Sequence, residues 1–136
     1  MIMETKFNFN SAICTSKEQS ERLLALGLKK ETADCHWCYS DEKWKMGEGC
    51  NSIACVHLYP KYYIPAWSLH RLIEMMPKSI YHKKEDWYKI IYNYSVCYQR
   101  GQFSICRSCK GDLYEDIANC IEWLIRVGYF NKEYLV

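Results

Sequence analysis

The sequence has few of the residues that mark disordered, fibrous or phosphate-binding chains. Its 136 residues include only 6 glycines and 3 prolines. Hydrophobic residues make up 49% and charged residues 25%, which excludes disordered, collagen-like and coiled-coil descriptions of the whole chain. Neither GxGxxG nor GxxxxGK[ST] occurs, so the sequence does not indicate a loop that cradles nucleotide phosphates.

An excess of charge and a long apolar run are also absent. The 18 Lys and Arg residues are balanced by 16 Asp and Glu residues, a net charge of +2 that does not indicate nucleic-acid binding. No apolar stretch approaches the ~20 residues of a membrane helix, and residues 1–10 lack the pattern of a secretory signal. We therefore expect a cytoplasmic protein that contacts neither membrane nor nucleic acid.

Cysteine and aromatic residues, by contrast, are plentiful. The chain carries 9 cysteines, 12 tyrosines, 5 tryptophans and 4 phenylalanines. An odd number of cysteines cannot pair completely, and cytosolic thiols stay reduced, so a disulfide scaffold is disfavoured. The remaining interpretations are buried inert thiols, a metal site or reactive thiols.

Three segments have the apolar spacing and end signals of helices. They cover residues 16–26, 65–76 and 113–127. Two overlapping capping boxes begin the first, and the third begins with Asp112 as cap and Glu115 as its box partner. The second begins with a proline, which suits a first helical turn.

The chain between the second and third helices is typical of β-structure. Residues 88–98 alternate apolar even positions with mostly polar odd positions, which predicts one half-buried strand. A turn at Arg100 and Gly101 would place Tyr98 opposite Phe103 in a hairpin. Residues 79–82 are predicted to add a strand, and residues 3–13 another.

The remaining stretch, residues 34–63, shows no clear periodicity. It is longer than an ordinary loop, and its cysteines and aromatics argue against disorder. We therefore predict one α+β domain over residues 1–136, with a small antiparallel β-sheet, about three helices packed against it, and an aperiodic insertion at 34–63.

Four cysteines in the insertion have a spacing that zinc could use. Cys35 and Cys38 form a CxxC pair, followed by Cys50 and Cys55, with His36 and His57 adjacent. Structural zinc needs four such ligands in a tetrahedron. Alternatively, these four cysteines are ordinary reduced thiols that bind no metal. The sequence therefore predicts either a structural zinc or no cofactor.

A second CxxC pair, Cys106 and Cys109, lies between the hairpin and the third helix. Nearby basic residues and a helix N-terminus would lower the pKa of such thiols. A redox CxxC normally follows a strand of a βαβ unit, however, and this pair follows a hairpin. A joint zinc site with Cys35 and Cys38 remains open. Alternation places Cys106 on the solvent side of its strand, while the other cysteines, Cys14, Cys97 and Cys120, are predicted to be structural.

An aromatic segment offers a candidate recognition surface. Such rings can stack on a ligand or anchor a protein interface, or they can simply fill the core. The surface consists of Trp44, Tyr59, Tyr62, Tyr63 and Trp67. No histidine motif for a metalloprotease or a catalytic triad is present, and His70 with Glu74 is predicted to be a solvated pair on one helix face.

Three stretches of the chain carry a resemblance. The first begins with Cys14-Thr-Ser-Lys-Glu-Gln-Ser-Glu-Arg, continues through the Leu-rich run to Leu28 and ends with Glu31-Thr-Ala-Asp. The second is Ile64-Pro-Ala-Trp-Ser-Leu. The third begins with Cys106-Arg-Ser-Cys-Lys-Gly-Asp-Leu-Tyr and extends to Gly128-Tyr. Together they resemble small proteins of gut anaerobes, their bacteriophages and mobile elements, a group with no assigned function. The cysteines after residue 34 depart from that group's pattern. The resemblance implies no catalytic residues.

These observations favour a non-enzymatic binding or accessory protein of a phage or mobile element. Its partner would be a protein or a small ligand held on the aromatic surface, and an open sheet edge could also pair two copies. One alternative is a small zinc-stabilised interaction module. The other is a thiol-dependent redox enzyme that uses Cys106 or Cys109.

Overall fold

Two antiparallel sheets, three α-helices and two short 3-10 helices, Lys30–Thr32 and Lys132–Tyr134, make up the described part of the chain. The computed structural model describes residues 13–40, 43–48, 61–92 and 95–136. Every strand pairs with antiparallel neighbours, so the predicted α+β class is confirmed, with two sheets in place of the one expected. The strand predicted at residues 3–13 lies outside the described residues except for its last position.

The first and third helices match their predictions closely. Helix α1 covers Lys17–Ala25, and a capping box joins the side chains and amides of Ser16 and Gln19 at its start. Helix α3 covers Leu113–Val127, and the side chain of Asp112 accepts a hydrogen bond from the Tyr114 amide. None of the described helices has the length and apolar character needed to cross a bilayer.

The second helix is shorter than predicted. Helix α2 covers Leu69–Met75, and the Ser68 hydroxyl caps it by accepting a hydrogen bond from the Arg71 amide. Pro65 was expected to open this helix but lies in a strand, Tyr63–Ala66. That strand is at the edge of its sheet, where a residue without an N–H is tolerated.

A three-stranded sheet replaces much of the predicted aperiodic insertion. Its strands, in the spatial order β2–β1–β3, are β1 (Cys35–Ser40), β2 (Lys43–Glu48) and β3 (Tyr63–Ala66). The prediction was wrong because both faces of β1 carry aromatic, imidazole or thiol side chains. Its sequence therefore lacks the alternation of apolar and polar residues that reveals a strand with one wet face.

The second sheet has four strands in chain order. They are β4 (Ser79–His82), β5 (Glu85–Tyr92), β6 (Ser95–Arg100) and β7 (Phe103–Ser108), each antiparallel to the next. The strand predicted at residues 79–82 is confirmed. Helix α3 packs against β6 and β7 and contacts both other helices. The core between them includes Leu72, Ile80, Val96, Tyr98, Ile117, Ile121 and Leu124.

The single strand predicted over residues 88–98 is two strands. Tyr92 pairs with Ser95, so the chain reverses between them and the even-numbered residues change face. Tyr88 pairs with Gln99 and is 57% exposed, whereas Tyr98 is fully buried against the helices. The continuous alternation in the sequence concealed this reversal, because both faces of the hairpin carry tyrosines.

The next hairpin is also offset from its predicted register. Arg100, rather than Tyr98, pairs with Phe103, and Tyr98 pairs with Ile105. The turn lies one position later than expected, with Gly101 at a φ of +57° in its first central position. A shift of two residues preserves the faces, so Tyr98 and Ile105 still point toward the core.

Candidate recognition face and thiol cluster

The open face of the four-stranded sheet carries a row of exposed tyrosines. Tyr81, Tyr88 and Tyr92 are 64%, 57% and 51% exposed. The strand registers place all three on the face turned away from the helices. We call these three residues the tyrosine face. Sheet faces turned to solvent are normally polar, so this row of aromatic side chains marks a candidate recognition surface.

A groove of about 430 Å3 continues the tyrosine face at one end. Tyr92 lies on its rim, and Cys97 lies beneath it and is almost fully buried. The Tyr92 hydroxyl donates to Gln99 Oε1 at 3.0 Å, and Gln99 Nε2 donates to the Gly101 carbonyl at 2.8 Å. These bonds hold the rim in place before any partner arrives.

The electrostatics of the groove come from one cation and several neutral polar groups. Arg107 is exposed and lines the groove, together with Ser95 and Ser104. Burial raises the pKa of the Cys97 thiol, while Arg107 acts in the opposite direction. The groove therefore offers a guanidinium and hydrogen-bonding groups to a ligand, with a protonated thiol beneath them.

The tyrosine face was not predicted from the sequence. The alternation continues through residues 93–94, so it predicts that Tyr88 and Tyr92 share the buried side with Tyr98. One signal was present: Asn93 is a common turn residue within the run. Reading a turn there would have moved Tyr88 and Tyr92 to the opposite side from Tyr98.

The predicted aromatic surface is only partly assembled. Trp44 is half-buried and lies under the Lys17 ammonium, with 4.3 Å from Nζ to the ring centroid. Tyr62 is 50% exposed, and Tyr39, which is not among the predicted residues, lies between Trp44 and Tyr62. The Tyr39 ring centroid is 5.3 Å from that of Trp44 and 6.5 Å from that of Tyr62. We call Tyr39, Trp44 and Tyr62 the small aromatic patch.

The other predicted members do not form part of that patch. Trp67 was wrongly placed on the surface: it is fully buried, and its Nε1 donates to Thr32 Oγ1 at 2.9 Å. Tyr63 is half-buried, with its ring centroid 5.8 Å from that of His36. Tyr59 lies outside the described residues. Trp67 follows a strand whose last two residues are buried, and this position carries it into the core.

The geometry of β1 separates the first pair of predicted zinc ligands. Cys35 and Cys38 are three residues apart on one strand, so their side chains point to opposite faces. Cys35 packs against Cys14 and Ala66 in a small buried cluster. Cys50 and Cys55 lie outside the described residues. Within the described ranges, no group of three potential ligands is placed to hold a metal ion.

His36 shares its strand face with Cys38. Burial lowers the pKa of the His36 imidazole, and its Nδ1 has no hydrogen-bond partner within the described structure. Elsewhere, the predicted pair of His70 and Glu74 is exposed, with 3.8 Å between Nε2 and Oε2.

The second CxxC pair is also divided. Cys109 is exposed, whereas Cys106 packs against the core, with its Sγ 3.3 Å from the Sγ of Cys120. The joint zinc site with Cys35 and Cys38 is therefore not assembled. Cys14, Cys97 and Cys120, which were predicted to be structural, are buried.

Comparisons with protein-family models, with curated proteins and with solved structures find no match for this chain.

Proposed function

We propose that this chain is a non-enzymatic binding protein that holds a polypeptide partner on the tyrosine face. The observation that carries the proposal is the row of three exposed tyrosines beside a groove with a preorganised polar rim. Tyrosine and arginine are enriched where proteins bind one another, because each combines a large contact area with a polar end.

A polypeptide fits this surface better than a nucleic acid does. Exposed charge on this face has both signs, with Asp86 beside Tyr81 and Arg107 in the groove. A nucleic-acid surface needs a concentration of positive charge. A partner with an extended apolar or aromatic segment and an acidic group would match both the tyrosines and the Arg107 guanidinium.

The cellular setting of the proposal follows from the sequence. We place the protein in the cytoplasm, a compartment that keeps thiols reduced, and none of the seven described cysteines forms a disulfide. An accessory role in a phage or mobile element is supported by the resemblance of residues 14–34, 64–69 and 106–129.

The two alternative functions have weaker support. A zinc-stabilised module has weaker support because the side chains of Cys35 and Cys38 point to opposite faces of their strand. A thiol-dependent enzyme that uses Cys106 and Cys109 has weaker support because Cys109 is exposed at the surface, whereas Cys106 packs against the core. Elemental analysis of the purified, reduced protein distinguishes the first of these, because a structural zinc site would be nearly saturated and this chain is expected to hold less than ~0.2 zinc per molecule.

Site-specific photo-cross-linking tests the binding function. Tyr88→p-benzoylphenylalanine places the reactive group in the middle of the tyrosine face, and the protein is irradiated in cells that naturally carry the sequence. We expect one discrete cross-linked protein, identified by mass spectrometry. The same substitution at Phe103, which is 70% exposed at a hairpin end, is the positional control and is expected to give no such adduct.

A second pair of variants shows whether the adduct depends on the face itself. Tyr92 and Tyr62 are 51% and 50% exposed, on different sheets. Tyr92→Ala should abolish the adduct formed at residue 88, and Tyr62→Ala should leave it unchanged. No adduct at residue 88, an equal adduct at residue 103, or equal sensitivity to both alanine variants would contradict the proposal.

A further inference from the structure

Cys106 occupies a backbone conformation that is rare for a residue with a side chain. Its φ is +54°, in the left-handed region that glycine normally fills. The register of β6 with β7 shifts at this point, so Cys106 and Arg107 together lie opposite Cys97. This arrangement is a β-bulge, a type in which glycine usually takes the left-handed position. The backbone is strained when a cysteine takes this position, and backbone strain of this kind often marks a functional position.

The bulge changes the direction of the Cys106 side chain. Simple alternation would turn Cys106 away from Ile105, toward the open face of the sheet. Instead, both residues pack against the core, and Cys106 Sγ lies 3.8 Å from the carbonyl oxygen of Cys120 on α3. The same reorientation brings the two Sγ atoms to 3.3 Å. The strained backbone thus serves to place one thiol against another.

We infer that Cys106 and Cys120 form a reversible disulfide, so that this thiol pair is an oxidation site for hydroperoxides. A disulfide has an S–S bond of about 2.05 Å, so the sulfur atoms must approach by little more than 1 Å. One thiol is on a strand and the other on a helix packed against that strand, and both positions are fixed by the core.

The surroundings assign different roles to the two sulfur atoms. The hydrogen bond between the Cys106 and Cys120 thiols lowers the pKa of Cys106, an effect that burial opposes and Arg126 assists. The same hydrogen bond, followed by burial, raises the pKa of Cys120. Cys106 is also the more accessible of the two, because Cys120 is fully buried. Cys106 therefore reacts first and Cys120 second.

The chemistry balances with a hydroperoxide as oxidant. The Cys106 thiolate attacks the peroxide oxygen, the O–O bond breaks, and a sulfenic acid forms on Cys106 with release of water from hydrogen peroxide. The Cys120 sulfur then attacks the Cys106 sulfur, the S–O bond breaks, and a second water leaves with the Cys120 proton. Two thiols lose two electrons in total, and one peroxide is reduced to two waters. A dithiol reductant reverses the reaction.

Peptide mapping of the full-length protein tests this inference. Trypsin cuts after Lys89, Arg100, Arg107, Lys110 and Arg126, so Cys97, Cys106, Cys109 and Cys120 fall on four separate peptides. The reduced protein is treated with a small excess of hydrogen peroxide, and the remaining thiols are blocked before digestion. We expect peptide 101–107 joined to peptide 111–126, with the link removed by dithiothreitol.

Variants separate this pair from its competitors. Cys109→Ser and Cys97→Ser should keep the link at the wild-type level, because neither thiol takes part. Cys106→Ser should abolish it. Cys120→Ser should stop the reaction at a Cys106 sulfenic acid that dimedone traps; if this core variant does not fold, the Cys109→Ser result and the wild-type map still decide. A Cys106–Cys109 link, a Cys97–Cys106 link, or oxidation without any internal link would overturn the inference.

Discussion

The guanidinium of Arg22 on α1 lies 2.8 Å from the carboxylate of Glu122 on α3. The same guanidinium contacts Asn119 Oδ1 at 2.7 Å and Glu115 Oε2 at 3.3 Å. Together with Arg126, these three residues recur at helical spacing in the sequence, which predicts a polar stripe along α3. The sequence also predicts Glu115 to be the capping-box partner of Asp112 at the start of the same helix. In the structure the stripe instead forms the contact between two helices, with Arg22 at its centre.

Replacing Arg22 with methionine should weaken the contact between these helices. Arg22→Met keeps most of the side-chain stem but removes three hydrogen bonds, two of them to carboxylates. Because all of the charged groups are partly exposed, we expect a loss of about 1 kcal/mol in the free energy of unfolding. Urea denaturation measures it.

Arg126→Met is the matched control for that measurement. Arg126 lies on the same stripe of α3 but is exposed to solvent, so a change below about 0.5 kcal/mol is expected. The difference between the two variants should shrink in 1 M salt, because salt screens half-exposed ion pairs. Equal losses, or a difference insensitive to salt, would show that the guanidinium contributes nothing specific.

Local signals in the sequence predicted the first and third helices well, but they misplaced the start of the second and could not assign the faces of the strands. Caps and stop signals lie within a few residues of the helix they define, so the starts of α1 and α3 were predicted correctly. Strand faces depend on where the chain reverses. In a chain with 12 tyrosines, a continuous alternation hides a reversal. The buried position of Trp67 and the contact between Cys106 and Cys120 depend on tertiary packing and on a bulge, which no spacing rule reveals.

Trp67 and Trp44 should respond very differently to truncation. Trp67 is fully buried and donates a hydrogen bond to Thr32, so Trp67→Ala should lower the free energy of unfolding by about 3–5 kcal/mol. Trp44 is half-buried and contacts the Lys17 ammonium, which is worth about 0.5–1 kcal/mol at such a site. Thermal and urea unfolding followed by circular dichroism compare the two. Similar losses for both variants would contradict the assignment of one to the core and the other to the surface.

The turn between β4 and β5 holds two lysines in a strained backbone conformation that substitution could relieve. Lys83 and Lys84 have φ values of +51° and +66°, and they link His82 to its partner Glu85 in a two-residue hairpin loop. Both side chains are exposed, so they offer little packing in return. Asn and Gly are the residues that favour such a turn.

Changing this turn should therefore stabilise the protein. We expect Lys83→Asn combined with Lys84→Gly to raise the free energy of unfolding by about 1–2 kcal/mol, because left-handed backbone is costly for lysine. Lys78→Gly is the control: Lys78 is also exposed but has no positive φ, so glycine there should be neutral or destabilising. The midpoints of urea denaturation report both changes. A double variant no more stable than the wild type would show that the turn carries no strain.

Tyr114 links the stability of the fold to alkaline pH. Its side chain is almost fully buried at the start of α3, and a hydrogen bond joins its hydroxyl to the backbone of Leu69 at the start of α2. Burial, assisted by the Cys14 thiol, raises the pKa of Tyr114 to about 12. In the unfolded chain a tyrosine loses its proton near pH 10.

The sign of the pH effect follows from these two values. Below pH 10, Tyr114 is protonated whether the chain is folded or not, and its contribution to stability is fully present. Between pH 10 and about 12 the unfolded chain loses the proton more readily, so that contribution falls as the pH rises. Tyr114→Phe lacks both the hydrogen bond and this ionisation.

Comparing the two proteins at two pH values isolates the tyrosine. At pH 9 the wild type should be more stable than Tyr114→Phe by about 1 kcal/mol, the value of the lost hydrogen bond. At pH 11.5 that advantage should have decreased, because only the wild type gives up a proton from residue 114 on unfolding. Every other titrating group is common to both proteins and cancels in the difference. Guanidinium denaturation at each pH measures it, and an advantage that stays constant or grows with pH would contradict the burial of the Tyr114 hydroxyl.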